Sequence, residues 1–301
     1  MDVKNIKAIK GIKDIKLNKE NSKAALEEAK NKVISTLDQN NDGTLDIEDI
    51  ITLGFKAPMV RVDREKFLRK ELQFKCTAEQ IDEAIASTPA KAGISMNIID
   101  DVADEVIKAE RNKVSGISAA LGMPGGVAMV ATIPAELTQY YGYMLHVAQE
   151  LMYLYGFPEI NFEEDGSLDS ATMNLIIISL GAMYGVAGAS NAIKVMANQF
   201  GKGASKQLMN KALTKGMFYP IVKSVAKWFD VKMTKEVFAG FFKKAIPIVG
   251  GVVGGGLTFF SFKPCCDRLK TELRDTMLSN PTREETQEDI EIIDVESLVV
   301  E

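Results

Sequence analysis

Three long stretches of this 301-residue chain carry almost no formal charge, and they constrain its fold more than any other feature. Residues 170–193 and 245–262 contain no charged side chain, and residues 114–149 contain only Glu136. A membrane-spanning helix needs about 20 predominantly apolar residues, so each stretch is a candidate span. All three are diluted by Gly, Ala, Ser, Asn or Pro. We therefore favour buried helices of a large bundle over membrane-spanning helices. Association with a membrane surface without crossing it is an intermediate alternative.

The rest of the chain gives helix signals and few strand signals. Thr77 and Gln80 have the spacing of a capping box, and residues 96–113 repeat apolar side chains at helical intervals. The sequence predicts an all-α fold. It consists of a large Gly/Ala-rich helical bundle over residues 90–280 and a small N-terminal helical module over residues 22–89.

Charge is segregated at the two ends of the chain. Residues 1–34 hold nine Lys and five acids, whereas residues 281–301 hold one Arg and eight acids. We assign a basic arm to residues 1–21 and an acidic tail to residues 281–301, which is a candidate site for a protein partner. In the arm, Lys and Ile each recur every three residues. This pattern allows an amphipathic helix on an anionic membrane or lipid surface, a helix packed on the body, or a flexible arm.

Composition excludes several classes of function. One His and three Cys rule out a multi-His metal site and a disulfide framework. The net charge of −5 argues against nucleic-acid binding. Lys interrupts every apolar run near the N-terminus, so no secretory signal is expected. Together these features predict a cytoplasmic protein, either free in the cytoplasm or bound at the inner face of the membrane.

The strongest local motif is the 38–49 loop, DQNNDGTLDIED, which resembles the calcium loop of an EF-hand. Gly43 stands at position 6, where the sharp turn needs it, and Leu45 at position 8 is apolar and expected to face the core. Oxygen ligands are expected at positions 1, 3, 5, 7, 9 and 12. These positions hold Asp38, Asn40, Asp42, Thr44, Asp46 and Asp49.

Position 12 departs from the pattern of a calcium sensor. It is Asp49, where a sensor usually has a bidentate Glu, and the shorter side chain favours Mg²⁺ or weakens Ca²⁺ binding. We therefore expect the cofactor to be Ca²⁺ or Mg²⁺. The alternative is a loop of Asx turns that only caps the following helix.

A second acidic segment, residues 161–172 (NFEEDGSLDSAT), has a similar register. Its last position is Thr172, which offers no carboxylate, and about 120 residues separate it from the first loop. We interpret it as an acidic turn in which Asp169 caps the next helix.

One predicted helix, residues 134–156, carries a line of polar side chains at spacings of three and four, here called the polar line. It could serve acid–base or metal chemistry, or it could be a seam of satisfied hydrogen bonds, which we favour because no nucleophile motif accompanies it. Its members are Glu136, Gln139, Tyr143, His146 and Glu150.

Several segments taken in order resemble the EcsC protein family of bacteria, over about residues 90–275. The resemblance implies a helical protein, membrane-associated or cytosolic, and some relatives are encoded beside ABC-transporter components. The family has no firmly assigned reaction, so no catalytic residue is carried over. The segments are LGMPGGVAM (121–129), IPAELTQYYGYMLHVAQELMYLYG (133–156), MYGVAGASNAI (183–193) and LTKGMFYPIVKSVAKWFDVKMTKEVFAGFFKKAIPIVGGVVGGGLTFFSFKP (213–264).

These observations predict a non-enzymatic, membrane-associated bacterial protein of the EcsC type that binds a divalent cation through the 38–49 loop. Two alternatives stay open. One is a membrane-inserting or lipid-binding effector that uses the charge-free Gly-rich helices. The other is an enzyme that works from the polar line at Glu136, His146 and Glu150.

Overall fold

The computed structural model of the chain confirms the all-α prediction. It describes residues 34–35, 37–39, 41–56, 58–121, 133–160, 162–163, 167–203, 206–232 and 250–284. Over these ranges, β-structure is limited to one isolated antiparallel bridge between Phe162 and Leu168. The predicted basic arm, and the predicted acidic tail beyond residue 284, lie outside the described residues.

Ten α-helices and one short 3₁₀ turn, Pro58–Val60, make up the described part of the fold. Residues 34–35 and 37 are also helical and lead into the 38–49 loop. In chain order the helices are α1 (Ile47–Lys56), α2 (Arg64–Leu72), α3 (Ala78–Ala86), α4 (Met96–Leu121), α5 (Ile133–Leu154), α6 (Ser170–Tyr184), α7 (Ala189–Gly201), α8 (Lys206–Lys215), α9 (Tyr219–Lys232) and α10 (Gly250–Arg274).

Helix α6 is the buried centre of the bundle. Every residue from Asn174 to Met183 is buried, because helices α5, α7, α8, α9 and α10 and the N-terminal helix α1 all contact it. Residues 174–183 of the charge-free stretch 170–193 are thus covered by protein around the whole circumference of the helix. A helix that is apolar on all faces needs such cover from either protein or lipid.

The two longest helices, α4 and α10, pack side by side and α4 also packs on α5. Ion pairs close the seam: Arg274 Nε lies 2.7 Å from Asp100 Oδ2, and Lys270 Nζ lies 2.7 Å from Asp104 Oδ1. Parts of the first and third charge-free stretches, residues 122–132 and 245–249, lie outside the described residues. No helix in the described part of the chain combines the length and apolarity needed to cross a bilayer.

The described residues of the predicted N-terminal module contribute to the same core as the bundle. Leu37, Ile50 and Leu68 belong to one continuous buried cluster with Leu151 of α5. Helices α1 and α2 and the 3₁₀ turn all pack against α5. The 38–49 loop is therefore held directly on the main helical body.

Local sequence signals place several helix ends. Thr77 and Gln80 form the predicted capping box at the start of α3. Asp63 caps α2 by accepting from the backbone N–H of Lys66, and Asp169 caps α6 by accepting from the N–H of Thr172 at 2.7 Å. The interpretation of Asp169 as a helix cap is confirmed.

A pair of glycine substitutions tests the packing of α6. A Cβ added at Gly181 would fall 2.6 Å and 2.9 Å from the two methyl groups of Val225 and 3.0 Å from Cβ of Ala189. We expect Gly181→Ala to lower the free energy of unfolding by about 1–3 kcal/mol, because β-branched Val225 cannot move aside easily. Urea unfolding followed by circular dichroism measures the change.

The matched control is Gly116→Ala in α4, where an added Cβ meets nothing within 4 Å. This change should raise the free energy of unfolding by about 1 kcal/mol, since Ala is the better helix former. Equal effects of the two substitutions would contradict the close packing of α6 on α9.

Candidate metal centre

The 38–49 loop joins the helical residues before Asp38 to the first turn of α1. Gly43, at position 6, has φ +85°, a left-handed conformation that side chains with a Cβ rarely adopt. Leu45, at position 8, is buried in the core as predicted. Helix α1 begins at Ile47, position 10 of the loop. The turn, the apolar anchor and the exit helix therefore stand where an EF-hand needs them.

Asp38, at position 1, bends back over the loop. Its Oδ2 accepts a hydrogen bond from the backbone N–H of Gly43 at 2.9 Å. Its Oδ1 is buried and has no hydrogen-bond partner. This oxygen is a lone-pair donor turned away from water, as a metal ligand would be. Asn40, the predicted ligand at position 3, lies outside the described residues.

Asp42 and Thr44 form a small turn of their own. Asp42 Oδ1 accepts from the backbone N–H of Thr44 at 2.8 Å and from its hydroxyl at 2.7 Å. Both side chains are exposed, so solvent and ions reach them freely.

Asp46 and Asp49 close the loop by a reciprocal cap of α1. Asp46 Oδ1 accepts from the N–H of Asp49 at 3.0 Å, and Asp49 Oδ2 accepts from the N–H of Asp46 at 3.1 Å. Asp49 Oδ1 also accepts from the N–H of Gln39 at 2.8 Å, which ties the two ends of the loop together. The helix-capping alternative is therefore realised.

A carboxylate distant in sequence lies near the loop. Asp230 of α9 lies close enough that its charge acts on Asp42 and Asp46. Burial raises the pKa of the Asp230 carboxyl, and repulsion from those two acids raises it further. No sequence signal marks Asp230, because about 180 residues separate it from the loop and only the packing of α9 on α1 brings it there.

Repulsion between like charges also raises pKa values within the loop. Burial raises the pKa of Asp46, and the neighbouring charges of Asp49 and Asp42 add to the rise. Burial also raises the pKa of Glu48, followed by repulsion from Asp46, Asp49 and Asp230. The loop surface is thus a place of negative potential that a divalent cation would relieve.

The described carboxylates of the 38–49 loop do not converge on one point. Among the described residues, three acid or imidazole side chains approach one another within 4.8 Å at a single place, formed by Glu110, His146 and Glu150. Cation binding at the 38–49 loop would therefore require its side chains to turn inward.

The polar line on α5 divides into two parts. Gln139 Nε2 donates to the carbonyl of Val114 on α4 at 3.3 Å, as expected for a satisfied seam. His146 and Glu150 lie one turn apart and face Glu110 of α4, which is buried. The side chain of Glu136 lies outside the described part. Sequence reasoning missed Glu110, since it sits in a helix full of charged residues and nothing distinguishes it there.

No protein-family model, curated protein or solved structure matches this chain. The resemblance to the EcsC family therefore stays a prediction, and the geometry of the described residues carries the functional argument.

The closure of the loop can be tested at Asp49, whose side chain is 1% exposed. We expect Asp49→Ala to lower the free energy of unfolding by about 2–3 kcal/mol in the presence of a chelator, because two backbone N–H groups lose a charged acceptor. Exposed Asp42→Ala, measured under the same conditions by urea unfolding, should cost less than about 1 kcal/mol. Equal costs would show that Asp49 does not hold the loop shut.

Proposed function

We propose that this chain is a non-enzymatic, divalent-cation-binding helical protein whose 38–49 loop binds Ca²⁺ or Mg²⁺ and transmits the event to the bundle. The ligands would be Asp38, Asn40, Asp42, Thr44, Asp46 and Asp49. The observation that carries this proposal is the arrival of Asp230 at an EF-hand-like loop that already holds several acids. Folding thus concentrates negative charge at a loop whose backbone suits a hard cation.

The electrostatics support a cation as the natural counter-charge. The pKa values of Asp46, Glu48 and Asp230 are all raised, with burial as the main cause and repulsion from neighbouring carboxylates as a further cause. Bringing these carboxylates closer costs free energy unless a positive ion sits between them. A divalent ion bound by oxygen ligands meets that need, and the unpartnered Oδ1 of Asp38 is suited to be one of them.

Helix α1 gives the loop a route into the bundle. It starts inside the loop and crosses α5 closely: a Cβ at Gly54 would fall 2.6 Å from Cδ1 of Leu145 and 3.9 Å from Cα of Gly142. The same helix contacts α6 and α9. A rotation of the loop side chains toward an ion would therefore be transmitted through α1 to α5, α6 and α9.

We further propose that the protein acts at the cytoplasmic face of a membrane and is of the EcsC type. The Lys-rich sequence of residues 1–34 is suited to anionic headgroups. On α10, at the end of the third charge-free stretch, Phe260 is 76% exposed, which offers an apolar contact to a lipid surface.

Substitution of Asp230 should weaken cation binding but stabilise the ion-free protein. We expect Asp230→Asn to weaken Ca²⁺ binding about 3- to 10-fold in calorimetry, because one negative charge beside the loop is lost. In chelator, the same change should raise the free energy of unfolding slightly, since repulsion is removed but is already weakened by solvent screening at this partly exposed side chain. The control is Asp101→Asn, at an exposed position of α4, which should change neither quantity.

Cation binding by the 38–49 loop is tested by calorimetry that compares wild type with Asp38→Ala. Wild type should release or absorb heat on titration with Ca²⁺ or Mg²⁺, and Asp38→Ala should not. Absence of heat with both ions, together with no ion-dependent shift in the melting temperature of wild type, would overturn the proposal.

The membrane claim is tested by co-sedimentation with vesicles. The full chain should pellet with vesicles that contain anionic lipid, and binding should weaken as salt increases, because the Lys-rich arm contributes electrostatically. Neutral vesicles are the control. Protein that stays in the supernatant with anionic vesicles at low salt, with or without Ca²⁺, would contradict this proposal.

A further inference from the structure

Helices α4 and α5 bring three ligating side chains together at a place unrelated to the 38–49 loop. Glu110 of α4, and His146 and Glu150 of α5, each offer an atom within 4.8 Å of the others. From this arrangement we infer that the protein has a second metal site, between α4 and α5, for a divalent first-row transition ion such as Zn²⁺. Glu110, His146 and Glu150 are its protein ligands.

The backbone positions of the ligands suit a metal site. His146 and Glu150 are four residues apart on α5, so they share one face of the helix, and Glu110 comes from the adjacent packed helix α4. Ligands on rigid helices keep their geometry better than ligands on loops. One imidazole and two carboxylates form a mixed N,O set of the kind that Zn²⁺ accepts.

The hydrogen bond of His146 orients its other nitrogen for coordination. His146 Nδ1 lies 3.3 Å from the carbonyl oxygen of Val60, which can only accept, so Nδ1 carries the proton. A neutral imidazole then presents the lone pair of Nε2 on the opposite side. Metal-ligating histidines commonly donate their second ring N–H to a backbone carbonyl in this way.

One atom of His146 and one atom of Glu150 face each other across the site. His146 Nε2 lies 3.3 Å from Glu150 Oε1. Bonds of about 2.1 Å to one ion place neighbouring ligand atoms about 3.0–3.4 Å apart, which matches this distance. The spacing therefore suits coordination of one ion by both atoms, as it also suits a hydrogen bond between them.

The remaining oxygen of Glu150 is the second, independent sign of a missing partner. Glu150 is 7% exposed, and its Oε2 is buried without any hydrogen-bond partner. A buried carboxylate oxygen left unpartnered is costly, so most are satisfied by a donor, a water or an ion. An ion between α4 and α5 would use this atom.

Charge balance also fits a divalent ion. Glu110 and Glu150 are both buried and together carry two negative charges if ionised, which one divalent ion neutralises. Lys113 currently pairs with Glu110, but its side chain is 56% exposed and can turn to solvent when an ion arrives. His146 is 22% exposed, so an ion can enter from the surface and keep a water as a further ligand.

The experiment uses the full chain, stripped with chelator and supplied with excess Mg²⁺ to occupy the 38–49 loop. Titration with Zn²⁺ should show about one equivalent bound. Glu150→Gln and His146→Gln should each weaken binding about 100-fold or more, with circular dichroism to show that the variants are folded. Glu105→Gln, an exposed site on the same helix as Glu110, and Asp42→Asn in the loop should bind like wild type.

A spectroscopic measurement on wild type does not depend on any variant. Co²⁺ added in place of Zn²⁺ should give visible d–d bands of a low-coordinate N,O site, which Zn²⁺ then removes by displacement. A strong thiolate charge-transfer band would place the ion at the cysteines and overturn the inference. Absence of stoichiometric Zn²⁺ binding, or equal affinity in wild type and both variants, would overturn it too and leave a proton between His146 and Glu150.

Discussion

Helix α6 carries no charged side chain, and every residue from Asn174 to Met183 has to be kept from water. Hydrophobic burial of this kind is not satisfied by one neighbouring helix, because the apolar surface runs around the whole cylinder. Six other helices of the described chain therefore meet on it, including α1 from the N-terminal part. The arrangement of these helices, and with it the position of Asp230 of α9 beside the 38–49 loop, follows from covering this one helix.

Helix packing also brings carboxylates close together in two places. Packing α9 against α6 and α1 sets Asp230 beside the 38–49 loop, and packing α5 against α4 encloses Glu150 next to Glu110. In both places carboxylates approach each other with part of their hydration removed. Hard oxygen ligands in an open loop suit Ca²⁺ or Mg²⁺, whereas the enclosed site with an imidazole suits a transition ion. The two proposals thus describe different ions and independent sites.

Particular residues show how far sequence reasoning reaches. The turn of the 38–49 loop was predictable because it depends on one continuous segment, and the left-handed Gly43 and buried Leu45 are where the pattern predicts them. The caps at Thr77 and Asp169 were also predictable, since capping depends on residues three apart. Asp230 and Glu110 could not be found in this way, as each belongs to a helix distant in sequence from the residues it joins.

By itself, then, the sequence determined the helical class, the helix caps, the loop conformation and the need to hide its charge-free stretches, because these depend on interactions between near neighbours along the chain. It also limited any imidazole site to His146, the single histidine. Only the tertiary structure decided that protein covers residues 174–183, that α1 belongs to the same core, and that Glu110 meets His146 and Glu150. Those outcomes depend on which helix faces pack together, and a pattern within one helix does not specify its partner.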